Sequence, residues 1–513
     1  VLLNPEDTGV IYLENNNIYA CLEIGSFEIK CLVCNFREER MYVLSNQSVP
    51  SIGIDRGQVT NFDKLVGQIR KVKELTEKDL NQNLDHIMLA IPPIDTFVEP
   101  AFTTINLDIN QPIDAEDMRL LFRQISEQPF AETLLPVNVI PRLFRIDENH
   151  LVQNPRGLSG RVLMLEATRV FAPITIVSNL IHAVESAKLK IADITTGSIS
   201  EALSALSSPE MFLRTCHMNI GHDMTTITVV NDGKVIHAHS LPMGGRDITR
   251  AIADEFGISE TVANELKVDF GQVVLNEEQS KLSDKVIYME DIKRKTFITR
   301  GMLNQVITVA CDRIFKEIKQ YVVDTLRIRE QEYHYSLSGA TAEFPNMLPL
   351  LQQNFPTVEV SIYKPSMLGV RSAKYAQIVG AAIFAHEFAL LVGSKSYNIK
   401  FDAPGQAQEA IKKAKVDQGE VTLSERIPSL IEDDAQPVED GFLVENNSPM
   451  LKDLLTQIEP EQDAWPSKVF GEDDISLLED EPVDDYMDKK LENSGVLVRF
   501  FDRIFNENDE VEN

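Results

Sequence analysis

One local pattern occurs twice, roughly 200 residues apart, and it constrains the fold more than any other feature of the chain. The segment IYACLEIGSFEIKCLVC from Ile18 runs an apolar strand into a Glu-Ile-Gly-Ser turn and leaves along a second apolar strand. The segment CHMNIGHDMTTITVVNDGKVIHAHS from Cys216 again takes a strand into a glycine turn, at Gly221. It then adds a hairpin whose Asn231-Asp232-Gly233 tip accepts positive φ. Two such turns, one from each half, can offer backbone N–H groups to a polyphosphate from opposite sides. Between Ile18 and about Gly393, strand-like and helix-like patterns alternate with short turns, the mark of a mixed α/β body.

Two further elements fall in the second half. PMGGRDITRAIADEFG from Pro242 sets Gly244-Gly245 directly before a helix, where free N–H groups and the helix dipole favour an anion. YSLSGATAEFPNM from Tyr335 is a strand entering Ser338-Gly339-Ala340, a small-residue turn that lets a purine and its phosphates approach the backbone. A sugar kinase, a DnaK-type chaperone and an actin-like filament protein would each show this duplicated order, so kinase, ATPase and filament functions all stay open.

Composition removes other classes. The chain has 513 residues, 43% hydrophobic and 25% charged, with a net charge of −30, enough apolar content for several packed units and too acidic for a nucleic-acid partner. Cys31 and Cys34 form a lone C-x-x-C inside an apolar strand, where residues three apart face opposite sides, so they read as core thiols in a reducing cytosol. No window approaches the roughly 20 uninterrupted apolar residues of a membrane span, and the first residues lack a basic start, so neither a secreted nor an integral protein is expected.

The charge concentrates late. Residues 401–495 hold 25 Asp or Glu against 8 Lys or Arg, with few aromatics, which reads as an acidic flexible tether over 401–493 interrupted by islands at Met450 and Trp465. Beyond it, SGVLVRFFDRIF places Leu497, Phe500, Phe501, Ile504 and Phe505 on one helix face and Arg499, Asp502 and Arg503 on the other, with Ser494 as N-cap. Following so long a solvated stretch, residues 494–506 read as an amphipathic helix lying on an anionic membrane surface. Each large apolar side chain contributes ~1.5–3 kcal/mol when fully buried, so one helix binds reversibly. Firm attachment needs several copies, since linked weak sites gain ~10²–10⁴ in avidity, and this points to self-assembly.

The chain resembles the bacterial cell-division family FtsA, whose members are actin-like adaptors. The resemblance rests on VPSIGIDRGQVTNFDKLVGQI (Val49 to Ile69), NPRGLSG (Asn154 to Gly160), the GGRDIT loop with VANELKVDFG, and LSGATAEFPN, together with the terminal helix. It implies a ribonuclease H-like duplicated, two-lobed α/β fold. Subdomain 1A would span residues 18–97 and 172–212, an inserted subdomain 1C residues 98–171, subdomain 2A residues 213–249 and 335–393, and subdomain 2B residues 250–334. ATP with Mg²⁺ would sit between 1A and 2A, on Gly25, Ser26, Lys30, Gly221, His222, Asp223, Thr225, Gly244, Gly245, Lys267, Gly339 and Ala340, with Glu23 at the metal. The chain would form filaments on the inner face of the membrane at the septum and hold the tail of FtsZ at 2B near Lys293, Arg294, Lys295 and Arg300. It would meet later division proteins through 1C. A pilus-assembly protein of the PilM type is also actin-like with an inserted domain, but has no reason to carry a tethered membrane helix.

Departures from the family pattern bear on the chemistry. Relatives usually have Asp at Glu23, and Asp-Ile-Gly-Gly-Gly where this chain has Asn219-Ile220-Gly221-His222-Asp223. Asn264 stands where relatives commonly carry a ribose-binding Glu, while Lys267 is kept. TTGSISEALSAL from Thr195 lacks the Gln or Glu that positions the attacking water. A carboxylate at Asp223 about 5 Å from a γ-phosphate would be repelled by roughly 3 kcal/mol per charge at an effective dielectric near 20, unless a protonated His222 or a metal offsets it. The expectation is weak ATP binding and at most slow hydrolysis.

Overall fold

The apolar runs on either side of the two glycine turns become the central strands of two sheets. The computed structural model describes residues 17–37, 40–131, 133–147, 150–205, 214–231, 233–276, 285–289, 297–327, 329 and 332–393. The acidic stretch 401–493, the segment 494–506 expected to be a helix, and Lys293, Arg294 and Lys295 lie outside the described residues. In the first half, β1 (Ile18–Ile24), β2 (Glu28–Arg37) and β3 (Arg40–Pro50) precede a small hairpin of β4 (Ile54–Asp55) and β5 (Gln58–Val59). Then come α1 (Phe62–Leu80), β6 (His86–Ile91), β7 (Phe97–Asn106), α2 (Ala115–Ser126), β8 (Leu134–Ile146), β9 (His150–Val152), β10 (Val162–Pro173), α3 (Ile174–Ser186), β11 (Lys190–Thr196) and α4 (Gly197–Ala205). The second half runs β12 (Thr215–Ile220), β13 (Thr225–Asn231), β14 (Lys234–Leu241), α5 (Gly245–Phe256), α6 (Glu260–Phe270), β15 (Val286–Met289) and β16 (Phe297–Thr299). It ends with α7 (Arg300–Gln320), β17 (His334–Ser338), α8 (Met347–Asn354), β18 (Val360–Ile362) and α9 (Ala376–Val392).

The two halves repeat one topology. The first sheet has the order β3-β2-β1-β6-β11 and the second β14-β13-β12-β17-β18. In each, the three strands around the glycine turn are antiparallel and the remaining two join in parallel. β1 is buried along its whole length because both faces of its sheet are covered, which is why it reads as an unbroken apolar run. α1 packs on β2 and β3 from one side, with Cys31 against Thr76. α9 packs on β1, β2 and β6 from the other. Cys34 donates to the Tyr19 carbonyl at 3.8 Å, and both cysteines are buried free thiols as expected. Burial pushes the Cys31 thiol up to about 11.

Between β6 and β11 the chain adds a separate antiparallel sheet, β7-β10-β8-β9, backed by α2. The NPRGLSG segment closes this unit. Gly157 N–H donates to the Ile113 carbonyl at 2.9 Å, and Ile113 N–H returns a bond to the Leu158 carbonyl at 2.7 Å. These pin the residues before α2, whose N-cap Asp114 and Asp117 cap each other reciprocally.

The helical stretch Ala373–Val392, which contains α9, has an 18-residue window of mean hydropathy 1.5, long and apolar enough to cross a bilayer, yet 67% of that window is buried inside the protein. It is a core helix. His386 on it stacks on Phe36 at 4.1 Å and approaches the Tyr19 hydroxyl at 3.2 Å. α9 also packs on α4, which in turn lies on β13 and β14, so these two helices connect the sheets. At their contact a Cβ on Gly380 would stand 2.6 Å from the backbone of Glu201. Gly380→Ala gains helix propensity but forces two backbones apart, so it should destabilise the protein by about 1–3 kcal/mol in a urea melt; an unchanged midpoint would show the helices slide freely.

Candidate functional site

The two glycine turns have the same internal geometry and face each other across one cleft. Gly25 N–H donates to the Glu28 carbonyl at 3.1 Å, and Gly221 N–H donates to the Met224 carbonyl at 3.0 Å. A Cβ would lie 2.9 Å from Glu28 O in the first turn and 3.0 Å from Met224 O in the second, which accounts for glycine at both. The rings of Phe27 and His222, one from each turn, meet with centroids 4.8 Å apart. The cavity beneath them has a volume of about 820 Å³. Of the residues expected at a nucleotide, Gly25, Ser26, Lys30, Gly221, His222, Asp223, Gly245, Lys267, Gly339 and Ala340 line it.

Thr225 and Gly244 are placed elsewhere. Thr225 turns its hydroxyl to the Met243 carbonyl at 2.9 Å, and its neighbour Thr226 faces the cavity instead. Thr226 stands in register with Asn219 on one side and Ser240 on the other, and all three line the cavity as one cross-strand row. Gly244 lies behind the second turn, where a Cβ would come within 2.6 Å of Gly221 O and 2.7 Å of His222 O. The start of α5 is therefore not a set of free donors. Gly245 N–H donates to the Gly221 carbonyl and Arg246 N–H to the His222 carbonyl, both at 2.8 Å, while Gly244 N–H donates to Asp247 Oδ2 at 2.7 Å. The first turn of this helix holds the glycine turn in place, which corrects the expectation of an open anion site there.

The acidic side chains at the turn end of the cleft are paired. Glu23 and Asn219 each sit two residues before their turn glycine, one in each half. Glu23 Oε1 accepts from Lys30 Nζ at 2.7 Å, and Lys30 also donates to the Lys374 carbonyl at 2.8 Å. Burial pushes the Glu23 carboxyl above the ordinary range, against the pull of Lys30. Its Oε2 is buried without a hydrogen-bond partner among the described residues. Asn219 donates through Nδ2 to Glu201 Oε2 at 2.7 Å, and Glu201 Oε1 meets His217 Nε2 at 3.1 Å and the Ser338 hydroxyl. Glu201 is 0% exposed.

Asp223 is not the isolated repulsive charge that its position suggested. Its Oδ2 accepts from the Arg56 backbone N–H at 3.3 Å, and the Arg246 guanidinium lies 3.8 Å from Oδ1. At an effective dielectric near 20 that arginine attracts by about 4 kcal/mol before screening, which offsets the roughly 3 kcal/mol expected against a phosphate. His222 does not supply the offset, because burial pushes its imidazole below the ordinary range and leaves it neutral at pH 7. Arg246 also bonds Asp55 at 3.0 Å.

At the other end, Gly339 adopts φ +86°, and a Cβ there would lie 2.5 Å from the Ile220 carbonyl. Lys267 donates to the Gly245 carbonyl at 2.9 Å and to the Thr249 hydroxyl at 2.7 Å. Arg300 turns its guanidinium to Gln272 at 3.2 Å on the cleft wall. The sequence reading took the stretch from Thr195 to lack a Gln or Glu, although Glu201 stands in it, and passed over Arg246 and Thr226. A lone acid in the small-residue run GSISEALSA was the available signal for Glu201.

Two sheets of one topology, each sending a glycine turn into a shared cleft, define an actin-like protein. The family model described as Cell division protein FtsA matches residues 216–380. Cell division protein FtsA of Bacillus subtilis is 26% identical over 400 residues, covering 78% of this chain and 90% of that protein. The protein of the same name from Streptococcus pneumoniae is 22% identical over 377 residues, covering 73% and 81%. Among solved structures, the PilM-PilN type IV pilus biogenesis complex aligns at a TM-score of 0.49 and 14% identity, covering 72% of this chain and 98% of that one. The chain is thus similar to FtsA proteins along about three quarters of its length.

Burial lowers the Lys267 ammonium from 10.5 to about 8. The unfolded lysine keeps its proton up to 10.5, so folding releases a proton between these values, and the contribution of Lys267 to stability rises with pH across that window. The stability of the wild type relative to Lys267→Met should therefore increase by on the order of 2 kcal/mol between pH 7 and pH 10.5 in paired urea melts. A flat difference would place the ammonium in water.

Proposed function

We propose that this chain is a cell-division adaptor that acts with the division machinery, assembles on itself, and holds FtsZ at the inner face of the membrane. The match along 400 residues to the Bacillus subtilis protein carries the reading. In this reading subdomain 1A would hold the first sheet with its helices, 1C the inserted β7-β10-β8-β9 sheet, 2A the second sheet, and 2B residues 250–334, with most of α5 and all of α6, β15, β16 and α7.

The cleft binds a purine nucleotide such as ATP. Glycines at 25, 221 and 339 line the cavity and present backbone to it without a side chain, which lets phosphates approach the two turns. Gly25, Ser26, Lys30 and Gly221 would hold the phosphates, and Lys267, Gly339 and Ala340 the nucleoside side. A bound nucleotide would serve here to fix the relation of the two lobes. Glu23 is tied to Lys30, Asp223 to Arg56 and Arg246, and Glu201 to Asn219, which favours binding over hydrolysis.

The FtsZ tail docks at 2B beside Lys293, Arg294 and Lys295, and the terminal helix 494–506 carries the assembly to anionic lipid through Leu497, Phe500, Phe501, Ile504 and Phe505. Two measurements test these contacts. Phe501→Asp should abolish co-sedimentation of the full chain with anionic liposomes, and an FtsZ C-terminal tail peptide should retain the full chain on beads. Liposome binding that survives the substitution removes the anchor, and a peptide that retains nothing removes the adaptor role.

A further inference from the structure

We propose that the cleft takes its nucleotide without a divalent cation, with Lys30 and Lys374 meeting the phosphate charge directly. The inference rests on the nucleotide reading above and adds to it how the phosphates are neutralised. A Mg²⁺ ion at a nucleotide site is held by one or two carboxylates together with phosphate oxygens and water. The residues at the turn end of this cleft do not fit that role. Glu23 gives Oε1 to Lys30 at 2.7 Å, so a cation of this protein already faces its charge, and the remaining Oε2 is buried without a hydrogen-bond partner among the described residues. Its counterpart in the second half is the amide Asn219, which adds no charge.

The missing charge has not vanished. It lies one layer deeper, on Glu201 of α4, which accepts the Asn219 amide at 2.7 Å and is shielded by His217 and Ser338. A fully buried carboxylate behind an amide can orient that amide but cannot reach an ion in the cavity. Two other acids at the turn end face cations of the protein: Glu28 lies 3.4 Å from Lys374 Nζ, and Asp223 Oδ1, which accepts no hydrogen bond among the described residues, lies 3.8 Å from Arg246. Lys30 and Lys374 line the cavity and are joined through the Lys374 carbonyl. An entering polyphosphate competes with Glu23 and Glu28 for two ammonium groups that stand where a metal would otherwise be needed.

The test is ATP titration of the full chain by calorimetry, once with Mg²⁺ and once with excess EDTA. The dissociation constants should agree within about threefold. A loss of about tenfold or more on chelation overturns the inference while leaving the nucleotide reading intact, and heat in neither buffer overturns both. A charge exchange supplies the second arm. Asn219→Asp combined with Glu201→Gln keeps the hydrogen bond between the two side chains but moves the carboxylate to the cavity. This variant, shown to be folded by its melting curve, should bind ATP at least about tenfold more tightly with Mg²⁺ than with EDTA. A folded variant indifferent to Mg²⁺ would refute the assignment of the lost metal dependence to this pair. Should the double variant fail to fold, the wild-type titration decides alone.

Discussion

Two pieces of backbone converge on the carbonyls of Ile220, Gly221 and His222 at distances that exclude any side chain. The second glycine turn forms the centre. Gly244 approaches it from the start of α5 and Gly339 from the end of β17, and a Cβ on either would intrude to within 2.6 Å of those carbonyls. Because Gly245 and Arg246 donate their N–H groups to the same turn, the helix, the turn and the parallel strand are one rigid block. The floor of the cleft inherits its precision from that block, since Asn219, Thr226 and Ser240 are fixed by strands ending at it.

Much of this arrangement was legible in the residues. The repeated strand and glycine turn, the Gly244-Gly245 pair and Ser338-Gly339-Ala340 identify short local stretches, and local stretches reveal themselves by composition and spacing. The two sheets follow their order, and the C-x-x-C thiols lie in the core as alternation demands. The inward threonine escaped for a physical reason. In a strand of consecutive threonines a one-residue choice of register reverses which one faces the cavity, and nothing local decides between Thr225 and Thr226.

The remaining surprises are contacts across long sequence separations. Glu201 meets Asn219 only because α4 is laid against the second sheet, and Arg246 meets Asp55 and Arg56 meets Asp223 only because the β4–β5 hairpin reaches over to the second turn. In the sequence, Asn219 read as a charge removed and Asp223 as a charge added. In three dimensions each is half of a pair, and the charge balance of the cleft differs from what a residue-by-residue comparison suggests. The start of α5 gives the same lesson for donors: whether an N–H is free depends on which carbonyl lies opposite it.

The bonds made by the β4–β5 hairpin and its neighbourhood have a mechanical consequence. Arg56 N–H to Asp223, Arg246 to Asp55, and the Ser240 hydroxyl to the Pro93 carbonyl all join the first half to the second. They form a row of stitches along one margin of the cleft, so the halves cannot twist past each other without tearing it. Phe27 and His222 meet beside the same row, so any separation of the two turns has to open that ring contact as well.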